Sequence, residues 1–360
     1  MLEQTLKQIT PLDEKAMSAA RRRWDSIAKP LHSLGLLEDA VVKIAGMTGS
    51  ARIELQKRGV IVMCGDNGVV EEGDNGVVEE GVTQTDSSVT AIVTENMCTG
   101  QTSVCKMAKA AGAQVFPVDI GVSRPVEGQG LIQAKVMAGT HNMTQGPAMT
   151  RAQAVQAVET GIRLAKECGA DGYRILATGE MGIGNTTTSA AVASVLLQRP
   201  VEEMTGRGAG LSDQGLRRKK DAIRRAIALN HPDPSDPLDV LAKVGGLDLA
   251  GLCGVFLGGA ACHIPVLIDG FISGVAALAA AKLCPDAAGY MLASHVSKEP
   301  AAHLVLEELG LSPFLTANMC LGEGTGAVAA LPILDMALAV YEGMSTFEDI
   351  AVEAYQPLSE

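Results

Sequence analysis

The sequence predicts an α/β protein: a parallel sheet flanked by helices, with a smaller helical unit assembled from both chain ends. Three observations predict it. Short β-branched runs recur through the middle of the chain, each followed by a glycine-containing turn and then a helical pattern. Strands alternating with helices of about 10 to 15 residues imply βαβ crossovers, which force parallel pairing and put helices on both faces of the sheet. Residues 1–55 and 311–360 lack such runs and read as helical. Finally, 47% of residues are apolar, yet there are only one Trp, four Tyr and five Phe against 40 Gly. Such a core is built from small aliphatic side chains, with tight turns and close backbone approaches.

Taken along the chain, Asp13 to Lys29 carries apolar residues at helical spacing and opens the small unit. The runs GVIVMC (59–64), AQVFPVDI (113–120), GYRILATG (172–179), HIPVLIDG (263–270) and AGYMLASH (288–295) are the expected strands. Helical patterns follow over 97–112, 149–168, 184–198, 215–229, 271–283 and 297–309, and Gly326 to Met344 supplies the last helix. A doubly wound, Rossmann-like arrangement follows, and ligands in such sheets bind beyond the carboxyl ends of the strands. The expected division is residues 1–58 and 313–360 for the helical unit and 59–312 for the α/β domain. HPDPSDPLD (231–239) is a loop that ends at a helix start, not a linker. DNGVVEEG occurs at Asp66–Gly73 and again at Asp74–Gly81. Two short copies make a tandem duplication rather than a solenoid. The second copy adds three carboxylates just after a strand, inside or outside the pocket.

A net charge of −12 argues against nucleic-acid binding and against a polybasic membrane contact. The first 24 residues lack the apolar core of a signal peptide, and the apolar stretch from Leu252 to Leu283 is broken by His263, Asp269 and several glycines, so no membrane span is expected. Eight cysteines include no CxxC pair and mostly sit in apolar runs, as reduced thiols of a cytoplasmic protein do. No cluster has zinc-ligand spacing, and no metal is expected.

Three segments could carry chemistry. ATGEMGIGNTTTSAAV (177–192) has a strand ending at Ala177, turning glycines, and Asn185 to Thr188 at a helix start. Backbone N–H groups there form an anion site, though a purely structural turn shares the pattern. The spacing matches neither the dinucleotide fingerprint nor a P-loop. TGRGAGLSDQGLRRKK (205–220) adds glycines and four cations, Arg217 to Lys220, of which one is expected to turn toward an anionic ligand while the rest form a solvated face. Gly270 and Ser273, after HIPVLIDG, offer a third phosphate contact. In LGEGTGA, Glu323 stands between Gly322 and Gly324 ahead of an apolar helix. It is either an accessible carboxylate or a helix-capping acid.

TGEMGIGNTTT, the GG pairs around 246–261, VLIDGFISGVAALAA, SHVSKEPA (294–301) and LGEGTGA…PILDMALAVYEGMSTFEDI together resemble the nicotinate-nucleotide–dimethylbenzimidazole phosphoribosyltransferase family, over nearly the whole chain. The resemblance implies transfer of phosphoribose from nicotinate mononucleotide to an aromatic base, giving an α-ribotide and nicotinate for cobamide synthesis. It implies Glu323 as general base, Glu180 as a second functional acid and Lys219 as support for the transfer. It also implies substrate contacts from Thr85, Val93, Met181, Gly182, Gly184, Asn185, Gly208, Gly270, Ser297 and Leu321. No cofactor is required, and a homodimer is expected from the family alone, with a heterodimer with a paralogue left open.

The sequence departs from the family where the acceptor base would sit. DHGV is replaced by DNGV in both copies, with Asn67 and Asn75. Ungapped counting puts the family's base-pocket serine on Thr85 and its glutamine on Val93. Valine cannot replace an amide's hydrogen bonds, so less polar acceptors such as phenols gain relative to benzimidazoles. A non-catalytic or specificity subunit paired with an active paralogue stays open as an alternative, with intact Glu323, Glu180 and Lys219 against it. A nucleotide-dependent oxidoreductase lacks its fingerprint. His32, His141, His231, His263 and His303 read as core or surface histidines.

Overall fold

A computed structural model describes residues 1–70 and 80–355. Within them one parallel sheet holds β1 (Arg58–Gly65), β2 (Ala113–Gly121), β3 (Ile132–Gln133), β4 (Ile175–Met181), β5 (Val266–Ile268) and β6 (Met291–Ala293), in the order β3-β2-β1-β4-β5-β6. The chain winds outward from β1 on one side and from β4 on the other. A crevice therefore opens where the carboxyl ends of β1 and β4 part, the topological switch point at which such folds bind ligands. β1 is buried along its whole length, as a central parallel strand covered on both faces must be.

Before the sheet come α1 (Leu2–Leu6), α2 (Glu14–Ser26) and α3 (Leu36–Thr48). Between β1 and β4 run α4 (Ser88–Cys98), α5 (Ser103–Ala110) and α6 (Arg151–Ala170). Between β4 and β5 lie α7 (Asn185–Leu196), α8 (Val201–Met204), α9 (Asp213–Asn230), α10 (Pro237–Val244) and α11 (Leu247–Ala261), and α12 (Gly270–Leu283), α13 (Ala302–Glu308) and α14 (Thr325–Gly343) complete the chain. α6 starts with a capping box in which Thr150 and Gln153 satisfy each other's backbone N–H groups, worth about 1 kcal/mol.

Several elements differ from expectation. The helix expected over 97–112 is two helices, because Gly100 takes φ +71° and turns the chain between α4 and α5. The strand expected over 172–179 runs instead to Met181, pairing Met63 with Glu180 and Cys64 with Met181. Glu180 therefore projects from a strand end and not from a loop. Only Val266–Ile268 of the run 263–270 is strand, and the two-residue β3 carries no pattern long enough to read. α11 was hidden for a physical reason: it is buried from Leu247 to Ala260, so it has no polar face and no 3.6-residue alternation. Its glycines let it cross α6 backbone to backbone. A Cβ at Gly254 would collide with the Val158 carbonyl, and one at Gly161 with the Gly251 carbonyl.

The chain ends meet. Arg23 Nε donates to the Tyr341 carbonyl at 3.0 Å, the Trp24 and Tyr341 rings lie 5.1 Å apart, and Ile27 bridges Thr346. Among the described residues α14 alone is long and apolar enough to cross a membrane, but half of it is buried, against α3, α5 and β4. Of the duplicated octapeptides, residues 71–79, Asn75 included, lie outside the described residues.

Candidate active site

A cavity of about 310 Å³ opens beyond the carboxyl ends of β4, β5 and β6. Its floor is Glu180 and the turn from Met181 to Thr186, and loop residues 320–323 close over it.

Glu323 owes its position to backbone conformation. It has φ +60° between Gly322 at +90° and Gly324 at +95°. A left-handed residue other than glycine is disfavoured by about 1–2 kcal/mol, so something must hold it. Asp269, at the end of β5, does so. Its Oδ2 accepts the Gly324 N–H at 2.9 Å, and its Oδ1 accepts those of Gly326 at 2.7 Å and Ala327 at 3.1 Å. A carboxylate from the sheet thus caps α14 and fixes the turn that precedes it. Gly179 matters for the same reason, because any Cβ there would meet the Glu323 carbonyl. The Glu323 carboxylate accepts the Val104 N–H at 3.4 Å, and burial, with Asp269 nearby, pushes it above its ordinary range.

Glu180 is 7% exposed and hydrogen-bonded by the Asn185 amide. Burial pushes it well above the usual carboxylate range, and Asp248, Asp269 and Glu323 push it further. Asn185 Nδ2 also donates to Asp248 at 3.2 Å, and burial raises Asp248 to about 6. Acid crowded like this favours a ligand that carries or develops positive charge. A pocket for anions lies to one side. Lys219 is 1% exposed, donates to Thr186 Oγ1 at 2.7 Å and to the Gly206 carbonyl at 3.2 Å, and is lowered to about 8 by burial. One cavity therefore joins an acidic half to a glycine-lined half that is backed by a buried ammonium.

A family model described as phosphoribosyltransferase (DBI_PRT) matches residues 9–352. The chain is 50% identical over 357 residues to the nicotinate-nucleotide–dimethylbenzimidazole phosphoribosyltransferase of Acetivibrio thermocellus, covering 99% of both chains, and 47% identical to that of Ruminiclostridium cellulolyticum, again over 99% of both. A crystal structure of CobT from Thermus thermophilus matches it with a TM-score of 0.88 at 38% identity, covering 95% of this chain and all of that one. The chain belongs to this phosphoribosyltransferase family.

Glu323, Glu180, Thr85, Val93, Met181, Gly182, Gly184, Asn185, Gly208, Gly270, Ser297 and Leu321 all line this one cavity. Lys219 sits behind its wall, reaching it through Thr186 and the Gly206 loop, while Arg217 and Arg218 stay exposed. Two expectations fail. Ser273 is fully buried, sharing a hydrogen with Thr178 and accepting the Asp269 N–H at 3.2 Å, so it cannot reach a ligand. Of the three threonines, only Thr186 faces the cavity. Thr187 is buried, and Thr188 Oγ1 donates to Asn67 at 3.1 Å. Asn67 is thereby part of the support under the turn.

Sequence reasoning missed Asp269, His295 and Asp248. His295 lines the cavity, with Nδ1 3.0 Å from Ser294 Oγ; burial lowers it and Asp269 raises it. Asp269 and His295 each close a strand run, HIPVLIDG and AGYMLASH, and that position was the available signal.

Proposed function

We propose that this protein transfers the phosphoribosyl group of nicotinate mononucleotide to an aromatic base, with Glu323 as general base. The acceptor's nucleophilic atom, the unprotonated ring nitrogen of a benzimidazole or the oxygen of a phenol, attacks C1′ while the acceptor's N–H or O–H proton passes to Glu323. The C1′–nitrogen bond to nicotinate breaks, and its electron pair neutralises the pyridinium, so the leaving ring needs no acid. Attack opposite the leaving ring turns the β-anomer into the α-ribotide. Glu180, when ionised, stabilises the positive charge that develops on the ribose. The amides near Gly182, Gly184, Gly208 and Gly270 receive the 5′-phosphate, with Ser297 beside them and Lys219 supporting the transfer with its charge from behind the wall. Met181 and Leu321 flank the substrates. Residues 1–58 and 313–360 act as the helical unit that carries Glu323 over the α/β domain. The eight free cysteines agree with a reducing, cytoplasmic setting.

One observation carries this reading. Glu323 and Glu180 share the switch-point cavity, close enough that a Cβ at Gly322 would lie 2.5 Å from Glu180 Oε1. Incubation of the purified chain with nicotinate mononucleotide and 5,6-dimethylbenzimidazole or p-cresol, followed by chromatography of nicotinate and ribotides, tests it. Nicotinate release that depends on the acceptor is expected; no release with any base would overturn the assignment. Val93 lines the cavity where an amide would favour benzimidazoles, so equimolar competition should yield the p-cresol ribotide at least comparably. A strong benzimidazole preference would remove the phenolic part of the proposal.

A further inference from the structure

Glu299, in the loop after β6, is a carboxylate in the half of the cavity that is otherwise built for an anion. Its Oε1 accepts the Gly208 N–H at 3.0 Å, and its own N–H donates to Ser297 Oγ at 3.4 Å. Its Oε2 is buried and has no hydrogen-bond partner among the described residues. The loop is shaped around it, since a Cβ at Gly206 would collide with that oxygen. Gly206 in turn offers its carbonyl to Lys219, whose Nζ lies 3.4 Å from where a Cβ of Gly208 would be. A carboxylate thus holds a backbone donor at the spot where a phosphate would need it, beside the buried ammonium.

We propose that Glu299 is an internal stand-in for the donor's phosphate, occupying the Gly208 N–H before substrate arrives and giving it up when the phosphorylated substrate binds. This rests on the reading that the 5′-phosphate lies against Gly208, with Lys219 behind the wall. The physical reason for such a competitor lies in the reaction. Donor and product carry the same phosphate, so its binding energy is uniform along the reaction and does nothing for the chemical step. An anion that re-enters the loop trims that affinity and speeds product release, which limits turnover in many enzymes. Glu299 thus sets how tightly the phosphate is held, without touching the reacting bond.

Calorimetric titration of the full-length protein with nicotinate mononucleotide and with nicotinate riboside, which lacks the phosphate, tests this in wild type, Glu299→Gln and Glu299→Ala. The glutamine variant should bind the mononucleotide about tenfold more tightly, the scale of one charge-assisted hydrogen bond, with riboside affinity unchanged. The alanine variant, which leaves the Gly208 N–H open, should move in the same direction; should it not fold, the glutamine variant decides alone. A residue that merely shapes the loop cannot produce a gain confined to the phosphorylated ligand. Unchanged or weaker mononucleotide binding in the folded variants would overturn the stand-in role. Equal binding of mononucleotide and riboside by wild type would instead overturn the phosphate placement on which it rests.

Discussion

Glu323 sits in a backbone conformation that disfavours it, between two left-handed glycines, and its side chain is raised by burial and by Asp269. A general base works best when its pKa approaches the operating pH, so both features suit proton removal from a weakly acidic ring. Replacing its carboxylate by an amide keeps the shape and removes the basic oxygen. For Glu323→Gln we expect mononucleotide affinity within about twofold of wild type while kcat drops about 10²–10⁴-fold; retained turnover in single-turnover assays would remove the assignment. Glu323 and its two glycines were legible in the sequence because the tripeptide GEG is unusual in itself. The direction in which the carboxylate points was not, because it follows from a cap supplied by a residue more than 50 positions away.

That cap belongs to the scale of elements. α14 begins at Thr325 with no capping side chain of its own, and Asp269 on the sheet supplies it. Asp269→Ala leaves three buried N–H groups without an acceptor and should lower stability by about 2–3 kcal/mol. It should also cut turnover, because Glu323 loses its fixed aim. Asp269→Asn keeps one acceptor oxygen and should fall between the two in both denaturant titration and kcat. An alanine variant equal to wild type in both would show that α14 is held by packing alone. The duplicated octapeptide is also an element-level question. Asp66, from the first copy, accepts from Ser123, while Glu80, from the second, accepts from Thr144 Oγ1 at 2.6 Å and pairs with Arg225. Loop closure depends weakly on length, so deleting eight residues should preserve one cooperative melting transition, with Tm moved by only about 3 °C. Loss of cooperativity would show that both copies are structural.

Across the whole molecule, the acid cluster ties stability to pH. Asp248 is fully buried and raised to about 6, and Glu180 is raised as well. A carboxyl group whose folded pKa lies above its unfolded value stabilises the fold when protonated. Its contribution is complete below about pH 4 and is lost as the pH rises through about 6 for Asp248, and higher for Glu180. For Asp248 alone the swing is about 3 kcal/mol. Asp248→Asn removes that titration, so its Tm relative to wild type should climb between pH 4 and 6 and then level off. A constant difference across that range would mean that Asp248 does not titrate as the fold implies.

Sequence was enough for the α/β class, the alternation that makes the sheet parallel, the helical chain ends and the glycine-rich turns around Glu180, Gly208 and Glu323. These are local properties, written in periodicity and in residues with unusual backbone freedom. It took the folded chain to show that β4 extends to Met181, that α11 is a helix, that Ser273 is spent on Thr178, and that Asp269, His295 and Glu299 face the same cavity. Each depends on contacts between segments far apart in the chain, and a fully buried segment keeps no alternation of polar and apolar residues from which its partners could be read.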